Sequence, residues 1–140
     1  AKLPFAAAVA PMLLVQVFRL LGFTLLVVGQ TDPSVSRSTL EALAYGDMLA
    51  AISALVAVLA LRSQSSLAVP LIWIFTIIGF ADVANVGRLA INADLFNYYI
   101  GVMWLVAIVY FPLVMISHVY IVYRLLNKGN EDRAMRAAQA

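Results

Sequence analysis

Hydrophobic positions in this chain form four long blocks separated by short polar segments. The blocks cover about residues 5–29, 40–61, 68–90 and 98–126. Each block reaches the roughly 20 residues that an α-helix, rising about 1.5 Å per residue, needs to cross a hydrocarbon core about 30 Å thick. The pattern therefore predicts an all-α membrane protein, a four-transmembrane-helix antiparallel bundle over residues 1–126, with a polar tail over residues 127–140.

The composition agrees with this pattern. Of the 140 residues, 64% are hydrophobic and 11% are charged, and the mean hydropathy is +0.98. Soluble domains carry about a quarter of charged residues, so lipid must surround much of this chain. The first block continues past Pro11 to Gly29, which is longer than the apolar region of a signal peptide. We therefore expect a first membrane helix and not a cleaved leader.

The segments between the blocks have the composition of turns. The first, GQTDPSVSRST, is rich in Ser and Thr and predicts Ser38 or Thr39 as the N-cap of the second helix. The second, RSQSS, is short, which makes the second and third helices antiparallel neighbours, and INADLFN joins the third helix to the fourth. The tail that begins at Asn127 is expected to fray or to form a short surface helix.

Lysine and arginine residues are distributed unequally between the two ends of the predicted bundle. Arg37 is the only clear basic residue in the connections at one end. The other end, where both termini lie, carries Lys2, Arg62, Arg124, Lys128, Arg133 and Arg136. Because cytoplasmic loops are enriched in Lys and Arg, we expect both termini in the cytoplasm and the first and third connections outside. The expected location is the inner membrane of a bacterial cell.

Several classes of function have no support in the sequence. The chain has no cysteine, which excludes disulfides, thiolate metal sites and iron–sulfur clusters, and its single histidine excludes a bis-histidine haem within one chain. The net charge of +2 is small and no basic patch with interleaved aromatics occurs, so nucleic acid is not an expected partner. Phosphate-binding loops, zinc-protease and hydrolase signatures and dinucleotide fingerprints are absent from the sequence.

Charged residues lie deep inside the first three of the four blocks. Counted along the helices, Arg19, Asp47 and Asp82 all fall within about 10 to 17 Å of the predicted outer boundary of the membrane. Charged side chains at membrane depth are costly and usually face a protein interior or a cavity. We therefore predict that three helices bring these side chains together in an outward-opening cavity. With one arginine against two aspartates, a proton, a cation or a cationic ligand would supply the remaining positive charge.

Two amides are predicted to complete this cluster. Gln16 is three residues from Arg19, and Asn85 is three residues from Asp82, so each pair is expected to share a helix face. A purely structural role, in which interhelical polar contacts fix the packing of the bundle, has equal weight at this stage. Arg88, near the end of the third block, is expected to extend its side chain towards the outer surface.

The fourth block carries a candidate second site at Tyr110 and His118. His118 comes about 20 residues into the block, on the order of 15 Å from the level of Asp82, so we expect no direct contact between the two. Pro112 lies between Tyr110 and His118 and is expected to kink the helix. Because a lone histidine is a weak metal site, no metal is predicted.

Short motifs mark all four blocks. They are QVFRLLG at Gln16–Gly22, the pair Gly46 and Asp47 with Arg62 at the end of the same helix, Trp73 followed by Gly79 and Asp82, and Pro112 followed by His118. With these motifs the chain resembles a family of small bacterial four-helix membrane proteins that have no assigned activity. The resemblance implies the four-helix fold, draws attention to Arg19, Asp47, Asp82 and His118, and implies no reaction.

Three functional hypotheses remain open from the sequence. The first is a non-enzymatic membrane protein whose charged cluster binds a small ligand, an ion or a proton. The second is an accessory or assembly subunit of a larger membrane complex, in which the cluster is structural. The third is an intramembrane redox or lipid-modifying enzyme, which would need a bound quinone, haem or lipid. The sequence identifies no cofactor, and the small residues Gly46, Ala50 and Ala54 suit contacts within one chain or in a homo-oligomer.

Overall fold

Four apolar helices make up nearly all of the protein. The structure, a computed structural model, describes residues 3–137, and in this range it contains helices and turns but no strand. The helices that are long and apolar enough to cross a membrane are Phe5–Leu26, Arg37–Arg62, Ala68–Asn92 and Met103–Asn130. We call them the first to fourth spans. The prediction of an all-helical protein with four helices long and apolar enough to span a membrane is confirmed in the described residues.

The chain runs up and down through the bundle, so that its connections alternate between two ends. Asp32, in the first connection, donates its backbone N–H to the carbonyl of Tyr99 in the third connection over 2.6 Å. At the opposite end, Arg124 Nη2 donates to the carbonyl of Leu3 over 2.9 Å. We call the end with the first and third connections the far end, and the end with the N-terminus the near end.

The four spans are not packed equally. The first span packs along the second and the second along the third, and the first also packs against the near half of the fourth. The third and fourth spans touch only briefly, around the ring pair of Phe75 and His118. The segment from Met103 to Tyr110, which is the far part of the fourth span, makes no close backbone approach to the third span. The bundle is therefore open between these two helices towards its far end.

Several helix boundaries differ from those predicted. The second span begins at Arg37, and its N-cap is Ser36, whose hydroxyl accepts the N–H of Thr39 over 3.2 Å. The prediction of Ser38 or Thr39 as the cap is wrong, because the helix begins earlier than the hydrophobic pattern shows. The fourth span begins only at Met103, because Gly101 takes a left-handed backbone conformation (φ +55°) just before it. Its helix then continues past the predicted start of the tail to Ala137.

Two spans leave α-helical geometry in their far halves. The first span is α-helical over Phe5–Val17 and tightens into a 3₁₀-helix over Phe18–Leu26. The fourth span contains a π-helical turn over Val106–Tyr110, directly before Pro112. A proline has no N–H to donate to the carbonyl four residues earlier, here that of Ile108, so regular α-helical bonding cannot continue through this point. The π-helical turn ends two residues before Pro112, the residue at which the sequence predicts a kink.

The main apolar core lies in the near half. Side chains from all four spans meet there, with exposed fractions of 0 to 9%. The cluster consists of Val9, Leu13, Ala54, Ala57, Val58, Leu61, Ala68, Ile72, Phe75, Ile121 and Leu125. Small alanines of the second span let the neighbouring helices approach closely. This tight half holds the four helices at fixed positions, from which their far halves extend to form the site.

Candidate functional site

The 3₁₀ segment of the first span determines which side chains face the centre of the bundle. Its buried residues are Arg19, Gly22 and Leu25, and Gln16 precedes them in the same register. A 3₁₀-helix has three residues per turn, so residues spaced by three lie in one straight row. In an α-helix the same row would drift around the axis by about 60° per step. The tighter helix therefore keeps Arg19, Gly22 and Leu25 facing inwards, while Gln16 is buried at the end of the α-helical part.

Arg19 forms ion pairs with both aspartates. Its Nε lies 2.9 Å from Asp47 Oδ1, and its Nη2 pairs with Asp82 Oδ2. These contacts join the first, second and third spans, as the sequence predicts. The side chains of Arg19 and Asp82 are 4% and 5% exposed, whereas that of Asp47 is 21% exposed. The pair with Asp82 is thus sealed inside the bundle, while Asp47 lies at the edge of an open space.

Glycines on the preceding helix make room for each carboxylate. A Cβ added to Gly22 would overlap the carboxylate of Asp47, and one added to Gly46 would overlap Asp82 Oδ1. On the third span, a Cβ at Gly79 would overlap the imidazole ring of His118. The same arrangement thus occurs at three helix contacts. At each of them, a glycine on one span leaves the space that a polar side chain of the next span occupies.

These glycine contacts are a part of the site that the sequence reading does not identify. From the sequence, Gly46 belongs to a stripe of small residues explained by core packing. The signal that distinguishes it is its position beside Asp47 in a membrane helix, because glycine lowers helix stability relative to alanine and so indicates a close approach. Gly22, three residues after Arg19, gives the same indication.

The two predicted amides do not join the ion pairs. Gln16 lies one turn closer to the near end, where its Nε2 donates to the Val114 carbonyl over 2.9 Å and to Ser117 Oγ over 2.6 Å. Asn85 instead accepts a hydrogen bond from Arg88 Nη2 over 2.9 Å. The prediction that Asn85 completes the cluster is wrong, because three residues along an α-helix turn it about 60° away from the Asp82 direction. Arg88 is exposed, but its guanidinium bonds back to Asn85 and does not extend towards the far end as expected.

His118 lies closer to the ion pairs than the sequence predicts. Its ring is fully buried between Phe75 and Phe80, with centroid distances of 4.9 Å to each, and its Nε2 has no hydrogen-bond partner in the described part of the chain. It contacts Gly79, which precedes Asp82 by one helical turn, or about 5 Å. The expected separation of about 15 Å is wrong, because the fourth helix begins later than its apolar pattern suggests.

Tyr110 and His118 do not form a common second site. Tyr110 lies about two helical turns nearer the far end, and its hydroxyl donates to the backbone carbonyl of Val15 on the first span. It borders the same open space as Arg19 and Asp47. Tyr110 is therefore part of the main candidate site. His118 lies nearer the near end, in the aromatic contact between the third and fourth spans.

A cavity of about 340 Å³ occupies the far half of the bundle. Its charged and hydroxyl-bearing lining consists of Arg19, Asp47 and Tyr110, and the remaining lining is apolar. The third and fourth spans contribute the apolar lining residues Val86, Gly87, Ala90, Met103, Trp104, Val106, Ala107, Phe111 and Val114. Gly87, Ala107 and Phe111 are also exposed at the bundle surface. The mouth of the cavity therefore lies between the third and fourth spans and faces the membrane.

The chemistry of this cavity is that of a binding site with one polar wall. Ligand pockets commonly have mostly apolar walls and a few fixed polar groups. Among the residues that the structure describes, no group of three or more His, Asp or Glu side chains is close enough to hold a metal ion. What the arrangement offers is a carboxylate beside a large apolar surface, fixed in place by a guanidinium.

The chain belongs to a family described as a domain of unknown function, DUF8737, whose model matches residues 1–126. The matched range includes all four spans up to Leu126 and every residue of the candidate site. No curated protein and no solved structure matches the chain.

Proposed function

We propose that this multi-pass membrane protein binds a small, mostly apolar molecule in the cavity of its far half. The observation that carries the proposal is the cavity itself, which combines about 340 Å³ of space with apolar walls and a single charged wall at Arg19 and Asp47. A ligand of this kind dissolves in the bilayer and would reach the site between the third and fourth spans. The proposal concerns binding and includes no reaction.

The packing of the protein supports this proposal over a purely structural role of the charged cluster. A cluster that served only to join helices would be closed on all sides, as the pair of Arg19 and Asp82 is. Asp47 instead keeps a fifth of its side chain open to the cavity. The non-α segments Phe18–Leu26 and Val106–Tyr110 border the same cavity, and π-helical turns occur frequently at functional sites.

The experiment compares two alanines on the third span. Ala90 lines the cavity, whereas Ala84 is exposed and does not. The chain has two tryptophans, Trp73 and Trp104, and Trp104 lines the cavity. In a Trp73→Phe background, tryptophan emission therefore comes from Trp104 alone. In that background, titration with neopentylbenzene in neutral micelles should give a saturable change in Trp104 emission. Ala90→Phe should abolish this change because the added ring fills the cavity, and Ala84→Phe should not. Equal binding to both variants would refute the proposal.

We also propose that the protein lies in a bacterial inner membrane. Its far end would face the outside of the cell, and both of its termini would lie in the cytoplasm. In the described range, Arg62, Lys128 and Arg133 lie near or beyond the near end of the spans, and Arg37 and Arg88 lie at the far end. Lys2 is outside the described residues. Since the chain has no cysteine, a single Ser34→Cys substitution should react with an impermeant maleimide added to intact cells. Protection of this thiol until the cells are opened would reverse the proposed orientation.

A further inference from the structure

The charged groups around the cavity do not balance. One guanidinium, that of Arg19, faces the carboxylates of Asp47 and Asp82, and these three groups are joined by direct ion pairs. The nearby arginines are used elsewhere, since Arg88 donates to Asn85 and Arg37 pairs with Glu41 at the exposed start of the second span. Neither Arg88 nor Arg37 lines the cavity. With both aspartates ionised, the site therefore has an excess of one negative charge.

That excess charge lies on the side of the cavity. Asp82 is sealed between Arg19 and Gly46, whereas Asp47 lines the cavity and is the more exposed of the two carboxylates. Asp47 Oδ1 accepts from Arg19 Nε, and Oδ2 is held against Gly22. A carboxylate next to apolar walls has little water to stabilise it. A positive charge brought in by a ligand would therefore be stabilised at this wall.

Aromatic rings line the same space. Phe96, Trp104, Tyr110 and Phe111 border the cavity, and the rings of Phe96 and Trp104 lie 6.2 Å apart. The faces of aromatic rings attract cations, and the attraction increases where water is excluded. An anionic ligand, by contrast, would lie beside the carboxylate of Asp47. Arg19 already pairs with two carboxylates through Nε and Nη2, and its Nη1, which has no hydrogen-bond partner among the described residues, is buried. The cavity thus combines the two features that favour an apolar cation.

From this combination we infer that the ligand of the cavity is a lipophilic cation, an amine or quaternary ammonium with an apolar body, whose charge lies beside Asp47. The inference rests on the proposed function, and it adds the chemical class of the ligand. The apolar body would occupy the space between the third and fourth spans, and the positive charge would complete the balance around Arg19.

The test uses two probes of the same shape and different charge. Benzyltrimethylammonium and neopentylbenzene differ in having a charged nitrogen or a neutral carbon at the same position. In the Trp73→Phe background, with partition into neutral micelles subtracted, the cation should bind about 10- to 100-fold more tightly, as expected for charge–charge and cation–aromatic attraction in a shielded site. This comparison needs no variant of the charged cluster, so it holds even where such a variant fails to fold.

Matched variants then assign the effect to one carboxylate. Asp47→Asn should lower the preference for the cation to nearly equal binding of the two probes. Glu41→Gln removes the same charge from an exposed position on the same helix and should preserve the preference. Equal binding of the two probes to the unaltered site, or tighter binding of benzenesulfonate than of the cation, would overturn the inference while leaving the proposed function intact. Binding of neither probe would overturn both.

Discussion

The near and far halves of this bundle differ in how their helices pack: the near half is filled by apolar side chains, whereas the far half encloses a cavity. In the near half, all four spans are α-helical and interlock through a continuous apolar core with almost no exposed surface. In the far half, the first span is a 3₁₀-helix, the fourth contains a π-helical turn, and the buried apolar cluster is smaller. A groove on the near half, between the first and fourth spans, is lined by apolar residues and Tyr120 and lies on the membrane-facing surface. The internal charged site is confined to the far half.

This difference shows which part of the protein maintains the fold and which part is available for binding. In a bilayer, lipid is as apolar as the protein core, so helices associate through close packing and polar contacts. The near half is held mainly by close packing, with the hydrogen bond from Arg124 to the Leu3 carbonyl at its end. The far half uses the ion pairs of Arg19, which hold three helices together across a space that side chains do not fill. A cavity can persist there because the near half fixes the helix positions.

The largest expected effect comes from removing the cation that holds the far half together. Arg19→Leu leaves Asp47 and Asp82 buried without a positive partner, and breaking a buried pair in this way costs about 3–5 kcal/mol. We expect a corresponding loss in the free energy of unfolding, measured by denaturant titration in mixed micelles, or a loss of folded protein on extraction. The near half should not offset this loss, because its core residues are all apolar and none can supply a positive charge to the two aspartates.

A second variant separates charge from packing. Adding Asp47→Asn and Asp82→Asn to Arg19→Leu removes the unpaired charges, so it should recover a large part of the lost stability, a coupling of the kind that neighbouring residues show. Full stability of Arg19→Leu alone would mean that the ion pairs do not hold the far half. In that case the proposed contrast between the halves would fail at its main point.

Much of the fold follows from the sequence because the bilayer imposes simple rules. A helix must be about 20 apolar residues long to span the membrane, so the four blocks reveal the four spans directly. Arg19, Asp47 and Asp82 are found together because a charge at membrane depth requires a partner. Both predictions depend on one strong physical constraint each. The sequence also places the distortion of the fourth helix near Pro112, because a missing N–H acts locally.

The details of the site depend on geometry that hydrophobic patterns do not contain. Whether Asn85 reaches the cluster depends on a rotation of about 60° around the helix axis, which a spacing of three residues does not resolve. The level of His118 depends on where its helix begins, and the turn at Gly101 shifts that start to Met103. The cavity itself follows from the separation of two spans, and no single residue pattern encodes such a space.

Two leucines test whether the near half is the tighter one. Leu13 is fully buried in the near core, whereas Leu43 borders the cavity. Leu13→Ala should lower the free energy of unfolding by about 2–3 kcal/mol, near the low end for such changes because lipid offers a similar apolar environment. Leu43 is 5% exposed and belongs to the smaller far cluster, so Leu43→Ala should also destabilise the protein, but by less than Leu13→Ala, since one side of Leu43 faces open space and fewer contacts are lost. Equal losses would indicate that the two halves are packed alike.

The last comparison tests the glycine contacts of the far half. Gly22→Ala brings a methyl group to 2.9 Å from the Cβ of Asp47, which is too close, so the first and second spans must move apart. Such overpacking costs about 1–3 kcal/mol. Gly87→Ala is the matched control, because its methyl group meets no atom within 4 Å, and alanine favours helix by up to about 1 kcal/mol. Thermal unfolding in micelles should therefore occur at a lower temperature for Gly22→Ala and at an equal or higher one for Gly87→Ala. If both variants unfold like the unaltered protein, the close contact between Gly22 and Asp47 does not stabilise the far half. The position of the Asp47 carboxylate beside the cavity would then depend on Arg19 alone.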